Sequence, residues 1–211
     1  MLYATIKTIV KFFLKFFYHL KVYGIENYIK GPAFIASNHA SYLDPAIAAV
    51  SFPEPIHFLG RSSLYKNKLF GKLILKLQCH PVTQGAENTA ALKTVLNILK
   101  NNEKVYLCPE GTRTKTGDIQ PGLIGIGLMV LKSKAPVIPL YIHGSYDIWS
   151  VHRKKPKLKG NLVAIFGSPL FFDNLPMQDP KQNREYIVST IMNSIKSLKA
   201  WYESGCHGKI P

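Results

Sequence analysis

Short apolar runs alternate with amphipathic stretches along most of this chain, and the alternation predicts its elements. Ala33 to Ser37 (AFIAS) is an apolar run of strand length, as are Lys104 to Cys108 (KVYLC), Val137 to Ile142 and Leu162 to Phe166. Between them lie segments with helical spacing. Lys68 to Leu77 is one, followed by an extended CHPVTQ stretch. Ala86 to Lys100 is another, with Leu92, Val95, Leu96 and Leu99 in phase. Gly122 to Lys132 is apolar and dotted with glycines, which predicts a buried helix lying close against its neighbours. Asp44-Pro45 pairs an N-cap with a proline at the first helical position, opening a helix to about Ser51. Asp179-Pro180 opens a final helix with Ile187, Ile191, Ile195 and Leu198 on one face. Strands and helices in alternation predict an α/β domain, its mixed and largely parallel sheet covered by helices. Ligands of such sheets bind in the loops beyond the carboxyl ends of the strands.

The first twenty-odd residues break this pattern. MLYATIKTIVKFFLKFFYHLK is rich in Phe, Ile and Leu, yet Lys7, Lys11 and Lys15 interrupt it, so no run reaches the roughly 18–20 apolar residues of a spanning helix. A secretory signal would carry its charges ahead of the apolar region and a small-residue cleavage site behind it. On a helix the three lysines form one stripe, and the apolar side chains occupy the rest of the circumference. That arrangement predicts a helix lying in a membrane interface, its lysines reaching toward anionic headgroups. The alternative is an amphipathic helix packed on the protein's own core. The chain therefore divides into an N-terminal anchoring helix, residues 1–23, and one domain, residues 24–211.

Charge sharpens the choice of partner. Lys and Arg number 27 against 12 Asp and Glu, a formal charge of +15, which points to anionic partners: nucleic acid, an acidic membrane or phosphorylated substrates. Cys79, Cys108 and Cys206 are odd in number and widely spaced, which fits a reducing compartment and offers no cysteine-based zinc site.

Two predicted loops carry candidate chemistry. SNHASYLD follows the 33–37 strand and places His39 five positions before Asp44. A histidine can accept a proton from a hydroxyl while a carboxylate on its other nitrogen fixes the tautomer. The pair can meet across a loop but not on a continuous helix, where five residues rotate by about 140°. His143 and Asp147 also follow a strand at similar spacing, and spacing alone does not choose between the two pairs. After the 104–108 strand comes PEGTRTKTG. Its Arg113 can hold a phosphate in two-pronged fashion, and its glycine lets backbone N–H groups approach an oxyanion. Taken alone, each loop also reads as an ordinary polar turn. Cys108 beside that loop reads as an apolar strand position rather than a nucleophile, and the run His152 to Lys157 as a solvated loop or a contact for headgroups or donor phosphates.

NHASYLD, then PEGTR some seventy residues later, then APVIPL, resembles the glycerolipid acyltransferase family, whose best-known members are 1-acylglycerol-3-phosphate acyltransferases. The resemblance spans about residues 24 to 170. It implies that His39 and Asp44 form the catalytic dyad. Glu110, Gly111, Thr112 and Arg113 would bind the acceptor's phosphate, and Val137, Ile138 and Pro139 would be an element near the acyl site. The implied reaction moves an acyl group from an acyl-CoA or acyl-carrier-protein thioester to the sn-2 hydroxyl of 1-acylglycerol 3-phosphate, without metal or other cofactor. The partners are then a lysophospholipid, the thioester and an anionic membrane surface, with an acyl carrier protein as one form of donor and no nucleic acid. The enzyme would sit monotopically on the cytoplasmic face. Gln84 stands where the family commonly has a second phosphate-contacting arginine, and the lysine usual before the glycine that follows E-G-T-R is missing from Gln120-Pro121-Gly122, which leaves other lysolipids open as acceptors. A non-enzymatic basic protein binding membrane or nucleic acid is the alternative from another class.

Overall fold

The computed structural model describes residues 2–82 and 89–211. Among these residues the strands are β1 (Lys21–Tyr23), β2 (Ala33–Ser37), β3 (His57–Arg61), β4 (Cys79–Val82), β5 (Lys104–Leu107), β6 (Val137–His143) and β7 (Val163–Phe166). The α-helices are α1 (Leu2–Tyr18), α2 (Asp44–Ser51), α3 (Lys68–Lys76), α4 (Thr89–Lys100), α5 (Ile124–Ser133), α6 (Ser145–Trp149) and α7 (Pro180–Glu203). The strands form one sheet in the order β1-β7-β6-β2-β5-β3-β4, parallel except where β6 meets β7. The predicted α/β class and its mixed, mostly parallel sheet are what the chain adopts. Because β6, β2, β5, β3 and β4 run the same way, the loops after β2, β5 and β6 emerge at one edge.

Helices cover both faces, as apolar runs buried on two sides require. On one face α4, α5 and α7 bring Val95, Val130, Ile187, Ile191 and Ile195 against Phe34, Val105 and Ile165. On the other, Leu14 and Tyr18 of α1 and Ile47 and Ala48 of α2 meet Ile35, Ile138 and Leu140. Fully burying a side chain of this size stabilises by about 1.5–3 kcal/mol. The glycine-dotted helix does lie close to its neighbour: a Cβ on Gly127 would stand 2.3 Å from the Arg184 carbonyl oxygen of α7. Asp179 caps α7 as predicted, its side chain accepting from Lys181 N at 3.0 Å with Pro180 at the start of the helix.

Three expectations need restating. The helix after SNHASYL has Leu43 at its N-cap, without a side-chain bond, and Asp44 inside the first turn. The N-terminal helix ends at Tyr18, and Lys21–Tyr23 already pairs with β7, so the sheet begins within the segment assigned to the anchor. Lys7 does not join a solvent-facing stripe, because its ammonium is bonded to the carbonyls of Phe52 (2.6 Å) and Pro53 (3.0 Å) behind α2. Burial lowers its pKa, with Lys11 adding to the effect. Leu14 and Tyr18 tie α1 to the core, while Ile9, Phe12, Phe13, Phe16 and Phe17 stay exposed.

Candidate active site

The loop leaving β2 would be free to wander but for Asn38. Its buried amide donates to Ile142 O at 3.0 Å and accepts from Ile142 N at 2.8 Å, extending the β2–β6 pairing by one side chain. The next residue, His39, is therefore delivered at the edge of the sheet. Asp44, wholly buried at the start of α2, turns its carboxylate back over the loop. One oxygen, Oδ2, accepts from His39 Nδ1 at 2.9 Å and from the backbone N–H groups of Ala40 and Ser41 at 2.7 Å each. Three donors on one oxygen fix the carboxylate, and the carboxylate fixes the tautomer and plane of the ring. The His39 side chain keeps 21% of its surface exposed while Asp44 has none. With Nδ1 committed, Nε2 is the nitrogen left to take a proton.

The loop after β5 closes on His39 from the other side. Glu110 is buried, and its Oε1 accepts from His39 N at 2.7 Å while Oε2 accepts from Gln120 N at 3.0 Å. Thr114 N donates to His39 O at 2.8 Å. Both polar groups of the His39 backbone are thus held by a segment about seventy residues away. Glu110, grouped by resemblance with the phosphate ligands, spends its carboxylate on this scaffold, where an anion would only be repelled by it. Gly111 has φ +68°, and a Cβ there would fall 2.3 Å from Leu123 Cδ1, so the turn needs glycine. Its N–H donates to Cys108 O at 3.0 Å and is not free for an oxyanion. Among the described residues, the N–H groups of Thr112 and Arg113 carry no hydrogen bond, and Arg113 makes no ion pair. Its guanidinium lies 3.6 Å from the ring centroid of Tyr42 in the first loop, and Tyr42 in turn packs on Trp149. Cation–π stacking holds the guanidinium plane without neutralising its charge.

Electrostatics at His39 are a contest. Burial disfavours the imidazolium, but the neighbouring Cys108 and the Asp44 carboxylate outweigh it, and the pKa is raised from 6.5 to about 10. Cys108 belongs to a small polar cluster, its Sγ 3.3 Å from Tyr106 Oη, which is 2.7 Å from Ser37 Oγ. Burial pushes the Glu110 carboxyl up, opposed by the two N–H groups it binds. No three His, Cys, Asp or Glu side chains among the described residues come together as a metal-ligand set.

The competing pair does not assemble. His143 ends β6 with its ring 4.6 Å from that of Tyr202 and Nδ1 3.4 Å from Tyr141 Oη, while Asp147 is exposed and makes no hydrogen bond to it. Val137, Ile138 and Pro139 are buried positions of β6, with Val137 opposite Phe34 at the far end of β2 from His39. They shape the floor of the sheet and offer no open surface to an acyl chain. Gln84 lies outside the described residues. Asn38, Thr114 and the Cys108–His39 contact were missed in the sequence. Only the adjacency of Asn38 and Cys108 to the two motifs hinted at them.

Residues 19–143, which contain both loops and the strands that carry them, match the family model described as Acyltransferase. The chain belongs to the Acyltransferase family. Among curated relatives it is 28% identical over 183 residues to the 1-acyl-sn-glycerol-3-phosphate acyltransferase of Bacillus subtilis, covering 85% of this chain and 88% of that one. The enzyme of the same name from Brassica napus chloroplasts is 24% identical over 159 residues, which are 74% of this chain but 46% of the plant protein. The chain thus spans most of the Bacillus relative and about half of the plant one. The crystal structure of the 1-acyl-sn-glycerophosphate (LPA) acyltransferase PlsC from Thermotoga maritima superposes with a TM-score of 0.75 at 21% identity. The match covers 94% of this chain and 81% of the Thermotoga chain, and at that identity it speaks for the fold.

Proposed function

We propose that this acyltransferase moves an acyl group from a thioester to the free sn-2 hydroxyl of 1-acylglycerol 3-phosphate, giving phosphatidic acid. The observation that carries the reading is the His39–Asp44 pair at 2.9 Å, with Arg113 stacked on Tyr42 of the same loop and in no ion pair. The relatives named for this reaction point the same way. Neutral His39 takes the hydroxyl proton on Nε2 as the oxygen attacks the thioester carbonyl. A C–O bond forms, and the tetrahedral oxyanion collapses with loss of the C–S bond. The thiolate leaves with the proton that His39 returns. Asp44 holds the ring and stabilises its charged form, so no acyl-enzyme is required. General-base catalysis of this kind is worth about 10²–10⁴-fold. Arg113, with the free N–H groups of Thr112 and Arg113, holds the acceptor's phosphate. The donor is a coenzyme A or carrier-protein thioester, with no further cofactor.

The same reading places the enzyme monotopically on the cytoplasmic face of a membrane, with α1 in the interface. No helix among the described residues is long and apolar enough to cross. Phe12 and Phe16 are 71% and 64% exposed, which suits lipid contact, and three free cysteines suit a reducing compartment. A purely binding role would leave the His39–Asp44 geometry without purpose.

A panel of lysolipids assayed with both donors tests the substrate. 1-Acylglycerol 3-phosphate is expected to give the highest kcat/KM. Arg113→Ala is expected to raise its KM by roughly 10- to 100-fold, since a hydrogen bond to a charged group contributes about 1.5–3 kcal/mol. Preference for a lysolipid lacking a phosphate monoester would overturn the acceptor assignment.

A further inference from the structure

Between α6 and β7 the chain runs out into a loop, residues 152–159, whose side chains all face solvent. Five of its eight residues are cations: Arg153, Lys154, Lys155, Lys157 and Lys159. Among the described residues none of the five makes an ion pair, and no Asp or Glu occurs between Ile148 and Phe172. Concentrating like charge in this way costs stability through self-repulsion, and an anionic partner relieves it. Amid the lysines stands Leu158, 82% exposed.

The backbone of the loop is anchored at both ends. Tyr18 Oη, at the end of α1, donates to Lys157 O at 2.8 Å, and Lys157 N donates to Ile148 O at 3.0 Å. At the other end His152 Nε2 lies 2.9 Å from Lys115 O, which also accepts from Tyr146 Oη at 2.6 Å. Lys115 follows Arg113 by two residues. The loop therefore bridges the exposed phenylalanines of α1 and the segment that grips His39.

We propose that residues 152–159 form a second membrane contact, which binds anionic lipid headgroups and sets the mouth of the active site against the bilayer. The inference rests on the interfacial reading given above for α1. An apolar tip between lysines fits a headgroup layer, where the cations meet phosphates and the leucine reaches the acyl boundary. An acidic carrier protein is the other occupant of suitable charge, but an exposed leucine flanked by Lys157 and Lys159, in a loop bonded to the end of α1, favours lipid.

The test uses the full chain with vesicles of neutral phosphatidylcholine and of phosphatidylcholine containing phosphatidylglycerol. Each cation near an anionic surface is worth roughly a fivefold change in affinity, so Arg153→Gln, Lys154→Gln and Lys155→Gln combined are expected to weaken anionic-vesicle binding on the order of 100-fold. Binding to neutral vesicles, the melting temperature and turnover of a short-chain, monomeric acceptor should stay at wild-type values. The wild-type preference for anionic vesicles should also fall steeply with salt. Leu158→Asp should weaken binding to both vesicle types. Wild-type anionic binding by the triple variant would overturn the proposal. So would a defect seen only with a carrier-protein donor, which would assign the loop to that protein. Failure of the α1 reading is separable, because Phe12→Asp with Phe16→Asp would then leave neutral-vesicle binding intact while the anionic preference still reported on the loop.

Discussion

Asp44 orients His39 from within the motif, and contacts outside the motif complete the environment of the ring. Cys108 is the most consequential, since its thiol contributes to raising the imidazole pKa to about 10. A general base must be neutral, so the rate is expected to climb with pH through the neutral and alkaline range. Cys108→Ala leaves Asp44 as the group that raises the imidazole pKa and should shift that rising limb of kcat/KM to lower pH. An unmoved limb would remove Cys108 from the electrostatics of the site. The same proton bears on stability. Because the folded value lies above the ordinary 6.5, its contribution is complete below about pH 6.5 and is lost as the pH rises through about 10. Glu110 makes a different residue-level prediction. Glu110→Ala would strand the N–H groups of His39 and Gln120 and is expected to cost about 1–3 kcal/mol, read in a thermal melt, together with activity. A wild-type melting temperature would show that the carboxylate is not the clamp its geometry describes. The identities of His39, Asp44, Glu110 and Arg113 were legible in the sequence. That Glu110 holds backbone while Arg113 stays free was not, because both carry charge and only the tertiary partners divide their roles.

At the scale of elements, the strands easiest to read were those buried on both faces, β2, β5, β6 and β7, whose apolar runs leave little ambiguity. β1 is three residues long, and β3 (HFLGR) begins and ends on polar residues, so neither shows a run or an alternation. α6, at five residues, is too short for a helical period. The N-terminal helix was legible as amphipathic, but its orientation was decided by packing. Lys7 turns inward to the carbonyls behind α2, and Leu14 and Tyr18 dock on the core, which leaves the phenylalanines outside. Burying a phenylalanine is worth about 1.5–3 kcal/mol. Phe12→Asp with Phe16→Asp should therefore weaken vesicle binding by at least roughly 100-fold in a flotation assay, with the melting temperature little changed because both side chains are already exposed. Undiminished binding would take α1 out of the interface.

For the molecule as a whole, the parallel run of β2, β5 and β6 matters most, because it carries two loops seventy residues apart to one edge of the sheet. There Glu110 and Thr114 lock them together around a single histidine, while Asn38 ties the first loop to β6. Spacing in the sequence offered two His–Asp pairs of similar standing, His39 with Asp44 and His143 with Asp147. Order relative to the second motif favoured the first pair, and the fold assembles only that one. Acyl transfer to 1-acylglycerol 3-phosphate by purified protein in mixed micelles, with His39→Ala and His143→Ala beside the wild type, tests the central claim most directly. His39→Ala is expected to lose about 10²–10⁴-fold in rate while His143→Ala keeps a substantial one. Equal rates for His39→Ala and the wild type would contradict it.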